Sequence, residues 1–351
     1  MAADICIIIP AYNAGRTIGA VVSGALTHCP DVFVADDGSM DNTGDSAADA
    51  GAKVIRIPFN RGKGNALKVL FDAAREKGYE AVISMDADGQ HDPDAIPLFI
   101  EKHKKSPHNI IVGSRMAERD RIPRARLNSM QIANFYASLA SNQFLEDTQC
   151  GYRLYPLGLI SQLLLTTGGY VTETEILIKA GDSGNHISFI DIEAIYNHNG
   201  SHFRAIRDFS AITAYVISYL TIKWIIEGAC PDRPYTYSRG GVRDRLARNR
   251  VVNGLFQTAT VFTALPITLF FWMEYVLFGP FINNFASVRR LGCGYLKIAA
   301  ATYMLPVMLA VLFIEKLLDI AGVQKGLTDA VVKKFYRNVW NPEQGTAAVR
   351  P

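Results

Sequence analysis

Acidic residues crowd a few short stretches of this chain. One reads Asp86-Ala87-Asp88-Gly89-Gln90-His91-Asp92-Pro93, and another reads Asp36-Asp37-Gly38-Ser39 followed by Asp41. Two further stretches carry polar groups of other kinds, Pro10-Ala11-Tyr12-Asn13 and Gly113-Ser114-Arg115. Asp-Gly by itself is an ordinary turn former. Asp-x-Asp-x-Gln says more, because two carboxylates beside an amide oxygen suit a hard divalent cation such as Mg2+ or Mn2+. An ion of that kind commonly holds a diphosphate. Asp86, Asp88 and Gln90 are the ligands this spacing suggests.

Each stretch follows a short apolar run rich in Val and Ile. Strands are expected at Ile5–Pro10, Val32–Asp36, Lys53–Ile57, Ala81–Met85 and Ile110–Gly113. Helical patterns fall between or after them, at Arg16–Thr27, Thr43–Ala50, Gly64–Lys77 and Asp94–Lys104. Alternation of this kind implies βαβ units and a mostly parallel sheet. In such sheets ligands bind at the carboxyl ends of the strands, which is where the acidic stretches lie.

The chain has 351 residues, 49% hydrophobic and 20% charged, which excludes a disordered tail protein. A formal net charge of +3 gives no reason to expect a nucleic-acid partner. Its five cysteines include no CxxC pair, so neither a disulfide scaffold nor a zinc ribbon is expected, and the thiols fit a reducing compartment. Ile5 to Ile9 is too short for a secretory core.

Mean hydropathy is +0.10, high for a soluble enzyme. Two charge-free runs account for it, Val251 to Met273 and Ile298 to Ile314, each with one proline (Pro266, Pro306). A span needs roughly 20 residues, and membrane helices tolerate proline. Six arginines lie between 233 and 250, and Lys316, Lys325, Lys333, Lys334 and Arg337 follow the second run. The connecting loop holds only Arg289 and Arg290. The positive-inside bias therefore predicts a two-span hairpin with the catalytic region and both termini cytoplasmic. The arginine cluster could also meet anionic lipid headgroups. Phe209 to Ile226 carries Lys223 and several hydroxyls, and is expected to lie on the membrane surface or on the catalytic domain.

The motifs IPAYN, VADDGSMD, NRGKGNAL, MDADGQHDP, GSR and DTQCGYR, in this order, resemble those of the family 2 glycosyltransferases. Among these the chain is most similar to the dolichyl- and polyprenyl-phosphate sugar synthases, the dolichol-phosphate mannose synthase branch. The resemblance covers residues 4–208 and implies a GT-A fold, a Rossmann-like α/β mixed sheet. With the hairpin added, it divides the chain into a catalytic domain (1–207), a juxtamembrane helix and basic linker (208–250), the hairpin (251–315) and a cytoplasmic tail (316–351).

By the same resemblance, Pro10, Ala11 and Tyr12 line the nucleotide pocket, with Asp36 and Asp37 at the base and ribose and Lys63 near the nucleotide. Asp86 and Asp88 form the DxD pair, joined on the metal side by Gln90. Arg115 points toward a phosphate. Asp147, Gln149 and Gly151 match the acceptor-side motif, and Ser201, His202 and Arg204 fall in a segment that closes over phosphates. Asp88, Arg115, Asp147 and Arg204 form the implied catalytic set. Two positions depart from the family: Ala14 replaces a common glutamate, and His202 stands where many relatives have lysine.

The implied reaction is transfer of a hexose from a UDP- or GDP-sugar to a polyprenyl phosphate, by in-line displacement with inversion. Such an acceptor is already an anion, so the site needs cations more than a base. Arg124 and Arg126 are further cations nearby in sequence. Either Glu173 or Glu175 could face the acceptor, although a carboxylate in a first helical turn is also favoured by the helix dipole alone. His91 is expected beside the metal site rather than on the ion, and Cys150 in packing. Two other readings stay open: a membrane glycosyltransferase acting on a lipid hydroxyl or a polymer, and an inert sugar-nucleotide-binding scaffold. The absence of a QxxRW motif speaks against a processive synthase, and the intact Asp86, Asp88, Gln90 and Arg115 set against a scaffold. The sugar stays open, as does the oligomeric state, a homo-oligomer included.

Overall fold

The computed structural model describes residues 5–122, 124–193, 195, 205–229, 235–249, 251–256, 258, 259, 310, 313 and 314. These group into two compact units. One comprises the described residues of 1–123, 145–181 and 185–209, and the other those of 124–144, 182–184 and 210 onward.

The first unit is built on seven strands: β1 (Ile5–Ala11), β2 (Val32–Asp37), β3 (Lys53–Ile57), β4 (Ala81–Ser84), β5 (Ile110–Ser114), β6 (Arg153–Pro156) and β7 (Ile187–Asp191). Every residue of β1 and β2 is buried, as expected of inner strands covered on both faces. The order is β3-β2-β1-β4-β6-β5-β7. All neighbours run parallel except at β6, which is antiparallel to both β4 and β5. Reading from β1, the chain order turns outward in both directions, to β2 and to β4. That reversal opens a crevice at the carboxyl ends of β1 and β4.

Helices connect these strands: α1 (Ile18–Leu26), α2 (Thr43–Asp49), α3 (Lys63–Glu76) and α4 (Ile96–Lys105). Helix α3 buries Gly64, Ala66, Leu67, Leu70, Phe71 and Ala74, a stripe at helical spacing, and packs on β1 and β2. Each large side chain in that stripe contributes roughly 1.5–3 kcal/mol by leaving water. Phe71 meets Tyr155 of β6 edge-on, 5.3 Å between ring centroids. Helix α3 starts at Lys63 because Gly62 turns the chain with φ 87°, which fixes Lys63 below the strand ends. Short α6 (Leu157–Gln162) and α7 (Val171–Asp182) lead to β7.

The second unit holds α5 (Arg124–Ser141), α8 (Ala205–Ala229, from Ser210) and α9 (Val242–Arg248). A helix lying on a surface would keep one wet face, yet residues 215–223 of α8 are buried without a break. Lys223 reaches the Asp182 carboxylate, which also accepts from Tyr219 (2.6 Å) and Asn142 (3.1 Å). The lysine charge in this segment is thus paired within the unit. Among the described residues no helix is long and apolar enough to cross a membrane. The two candidate spans fall almost wholly outside the described residues.

Candidate active site

The crevice brings the ends of β1, β2 and β4 together. Ala11 at the end of β1 pairs in register with Asp36 of β2, and Ile8 with Ser84 of β4. The loops beyond are fastened to one another. The backbone N–H of Asn13 donates to Ser39 Oγ (2.9 Å) and that of Ala14 to Thr43 Oγ1 (2.7 Å). Asn13 Oδ1 accepts from the Met40 amide, with Asn13 itself at φ 47°. The expected pocket residues Pro10 and Ala11 are buried, and Tyr12 is half-buried. Asp36 accepts from the Ser39 amide (3.0 Å). Asp37 commits both oxygens to the turn before α3, accepting from the amides of Arg61 (2.9 Å) and Gly62 (2.7 Å). Asp37 thereby holds the NRGKG turn.

Below that turn lies the acidic centre. Lys63 Nζ is 2.6 Å from Asp86 Oδ1 and 3.0 Å from Glu173 Oε2, and 5.6 Å from the Tyr170 ring centroid. Burial alone would lower the lysine pKa, but the two carboxylates outweigh it and raise it well above its ordinary value. Conversely, burial would raise Asp86, and Lys63 foremost brings it down to about 2. Asp88 is pushed up, by burial and then by the Asp86 charge. One of its oxygens accepts from the Gln90 amide (3.0 Å). The Asp86 amide donates to His91 Nδ1 (3.0 Å), so the imidazole is neutral there, and its ring stacks on Tyr152. His91 thus supports the Asp86 backbone.

Strand β6 completes this centre. Ser84 pairs with Arg153, so the antiparallel register sets Gly151 opposite Asp86. A Cβ on Gly151 would sit 2.7 Å from Asp86 Oδ2 and 2.8 Å from Lys63 Nζ, so any other residue would push those two side chains from their present places. Arg153 is fully buried and donates to the carbonyls of Cys150, Thr148 and Glu173 (2.6–2.9 Å). It ties the acceptor-side loop to α7. The sequence reading passed over it, although it belongs to the DTQCGYR motif.

Arg115 and Asp147 are brought together, but onto each other. Arg115 Nε and Nη2 donate to the two Asp147 oxygens at 2.8 and 2.9 Å, and the amides of Gln149 and Cys150 add to one of them. Asp147 is fully buried. This bidentate pair fastens the 147–150 turn to the end of β5. Glu173 and Glu175 also separate. Glu175 is saturated by the amides and hydroxyls of Thr166 and Thr167 and by Lys179 (2.6–3.1 Å). Only Glu173 faces the site. Ser201, His202 and Arg204 lie outside the described residues.

Among the described residues no three His, Cys, Asp or Glu side chains converge as a ready-made metal cage. The two unlike carboxylates Asp86 and Asp88, with mutual repulsion felt at Asp88, nevertheless fit a hard cation that takes its other ligands from a bound diphosphate.

The model of glycosyl transferase family 2 matches residues 6–163. The UDP-N-acetylglucosamine–dolichyl-phosphate N-acetylglucosaminyltransferase of Methanococcus voltae is 30% identical over 215 residues, 55% of this chain and 86% of that protein. The chain belongs to glycosyl transferase family 2. This glycosyltransferase is also 27% identical to the undecaprenyl-phosphate mannosyltransferase of Micrococcus luteus, over 55% of this chain and 84% of that one. Its fold is that of glucosyl-3-phosphoglycerate synthase from Mycobacterium tuberculosis, solved with uridine diphosphate (TM-score 0.52, 20% identity, 62% of this chain and 80% of that one). It is accordingly an α/β enzyme of GT-A type with a mixed sheet.

Proposed function

We propose that this enzyme transfers a hexose from a UDP- or GDP-sugar to a polyprenyl phosphate at the cytoplasmic face of a membrane, with inversion. Two relatives named for undecaprenyl and dolichyl phosphate support the acceptor class. The observation that carries the chemistry is the Asp86–Asp88 pair at the topological switch point, beside Lys63. Asp86 and Asp88, with Gln90, would hold Mg2+ or Mn2+, which offsets the charge developing on the departing diphosphate. Lys63 keeps Asp86 ionised for that task. A phosphate oxygen of the acceptor attacks the anomeric carbon as its bond to the diphosphate breaks. No proton needs removing, in keeping with Asp147, whose oxygens are already engaged by five N–H groups. Asp147 and Arg115 then act by position, and Ser201, His202 and Arg204 supply contacts to phosphate.

The chain would be held by the two-span hairpin of 251–315. The exposure of Val251, Leu255 and Phe313 supports apolar surroundings there. The test is incubation of the full chain with radiolabelled nucleotide sugars and either undecaprenyl phosphate or a neutral lipid alcohol. A mild-acid-labile lipid product is expected with the phosphate alone. Arg204→Ala should weaken use of the prenyl phosphate about tenfold, the value of one charge-assisted contact. Glycosylation of the alcohol instead would overturn the phosphate-acceptor reading.

A further inference from the structure

Glu173 is the acidic group at the site that the proposed transfer does not use. It is 6% exposed. Its Oε2 holds Lys63, while its Oε1 is buried with no hydrogen-bond partner among the described residues. A buried carboxylate oxygen in that state calls for a donor. Lys63 has three N–H donors and is divided between Asp86 and Glu173. Asp86, Asp88 and Glu173 set three acids beside the Lys63 ammonium and the buried Arg153 guanidinium, so acids outnumber bases at this centre. Gly151 presents no side chain, so nothing separates the ammonium from the Asp86 carboxylate.

We propose that Lys63 is a built-in stand-in for the divalent cation: its ammonium occupies Asp86 in the ion-free protein, and moves onto both oxygens of Glu173 when the cation takes Asp86. The inference rests on the metal reading of Asp86 and Asp88. Glu173 is then a positioning residue that acts through Lys63. One consequence is that free cations compete poorly for Asp86, and the ion that arrives with a diphosphate is favoured.

The test is a Mn2+ titration of the full chain, followed by electron paramagnetic resonance with neither donor nor acceptor present. Lys63→Met should bind Mn2+ at least about fivefold tighter, because a competing positive charge is gone. Glu173→Gln should weaken binding at least about threefold in the wild-type background, but much less beside Lys63→Met, as expected of residues that act together. Should Lys63→Met fail to fold, Lys63→Gln is expected to tighten binding in the same direction. Unchanged or weaker binding on removal of Lys63 would overturn the proposal, and so would an equal Glu173→Gln effect in both backgrounds. If Asp88→Asn leaves Mn2+ affinity untouched, or neither the wild type nor Lys63→Met binds any, the metal reading itself falls and this inference with it. Tight wild-type binding with the wrong pattern among the Lys63 and Glu173 variants sinks the inference alone.

Discussion

Two carboxylate–cation pairs stand close together in the first unit, and they differ in kind. Arg115 and Asp147 form a closed pair: planar fork against carboxylate, both buried, the remaining lone pairs taken by backbone amides. Lys63 and Asp86 form an open one, with a point charge shared between two acids and a second aspartate left at its edge. An arginine fork suits fixed geometry, whereas a lysine can be redistributed among acceptors. On the proposed function the closed pair serves the scaffold and the open one the chemistry, whereas the motif resemblance offers Arg115 and Asp147 as catalytic and Lys63 and Asp86 as nucleotide-side and metal-side groups.

The sharpest way to break this contrast is Arg115→Ala. It strands Asp147 as a buried charge, and should destabilise the protein by about 3–5 kcal/mol. The melting temperature should then fall on the order of 10 °C. A variant that melts like wild type but fails to turn over would return Arg115 to the reacting groups. Asp88→Asn should do the opposite. Its side chain sits at a half-exposed strand end, so melting should barely move while transfer falls at least about a hundredfold, or ~2.7 kcal/mol of barrier. Activity above a tenth of wild type, with Mg2+ or Mn2+ supplied, would remove Asp88 from the metal site.

A smaller effect tests the support beneath the open pair. Burial foremost lowers the His91 pKa to about 4 from 6.5. Below pH 6.5 the unfolded chain gains a proton that the folded one refuses until about pH 4. The stability this neutral ring contributes is thus present above pH 6.5 and lost as pH falls through that window. Thermal melts at pH 7, 5.5 and 4.5 should show a decline that His91→Asn flattens by about 2 kcal/mol. A decline equally steep in the variant would place its cause elsewhere.

The parallel strands were legible because their signal is local. A continuous apolar run ending in polar residues marks β1, β2, β4 and β5 to within a residue or so. Strand β6 was not legible, since four residues, Arg153-Leu154-Tyr155-Pro156, carry no periodicity worth reading. Its antiparallel course decides what stands beside Asp86. The same limit hid Arg153, whose role depends on carbonyls gathered from Thr148, Cys150 and Glu173. Glu173 and Glu175 look alike in sequence. Two residues on a helix, about 200° of rotation, send Glu175 into a cage of threonines and leave Glu173 at the site.

Asp37, Asn13, Thr43 and Asp41 tie the loops after β1 and β2 to the turn before α3 through backbone amides. A rim fastened in this way arrives at its final shape when the sheet folds, before any ligand is present. Little loop freedom is then left to lose on association, so less of the interaction energy goes into ordering. Capture at this rim is set by the rate of encounter rather than by a slow rearrangement, and differences in affinity among ligands emerge chiefly in how long each one stays.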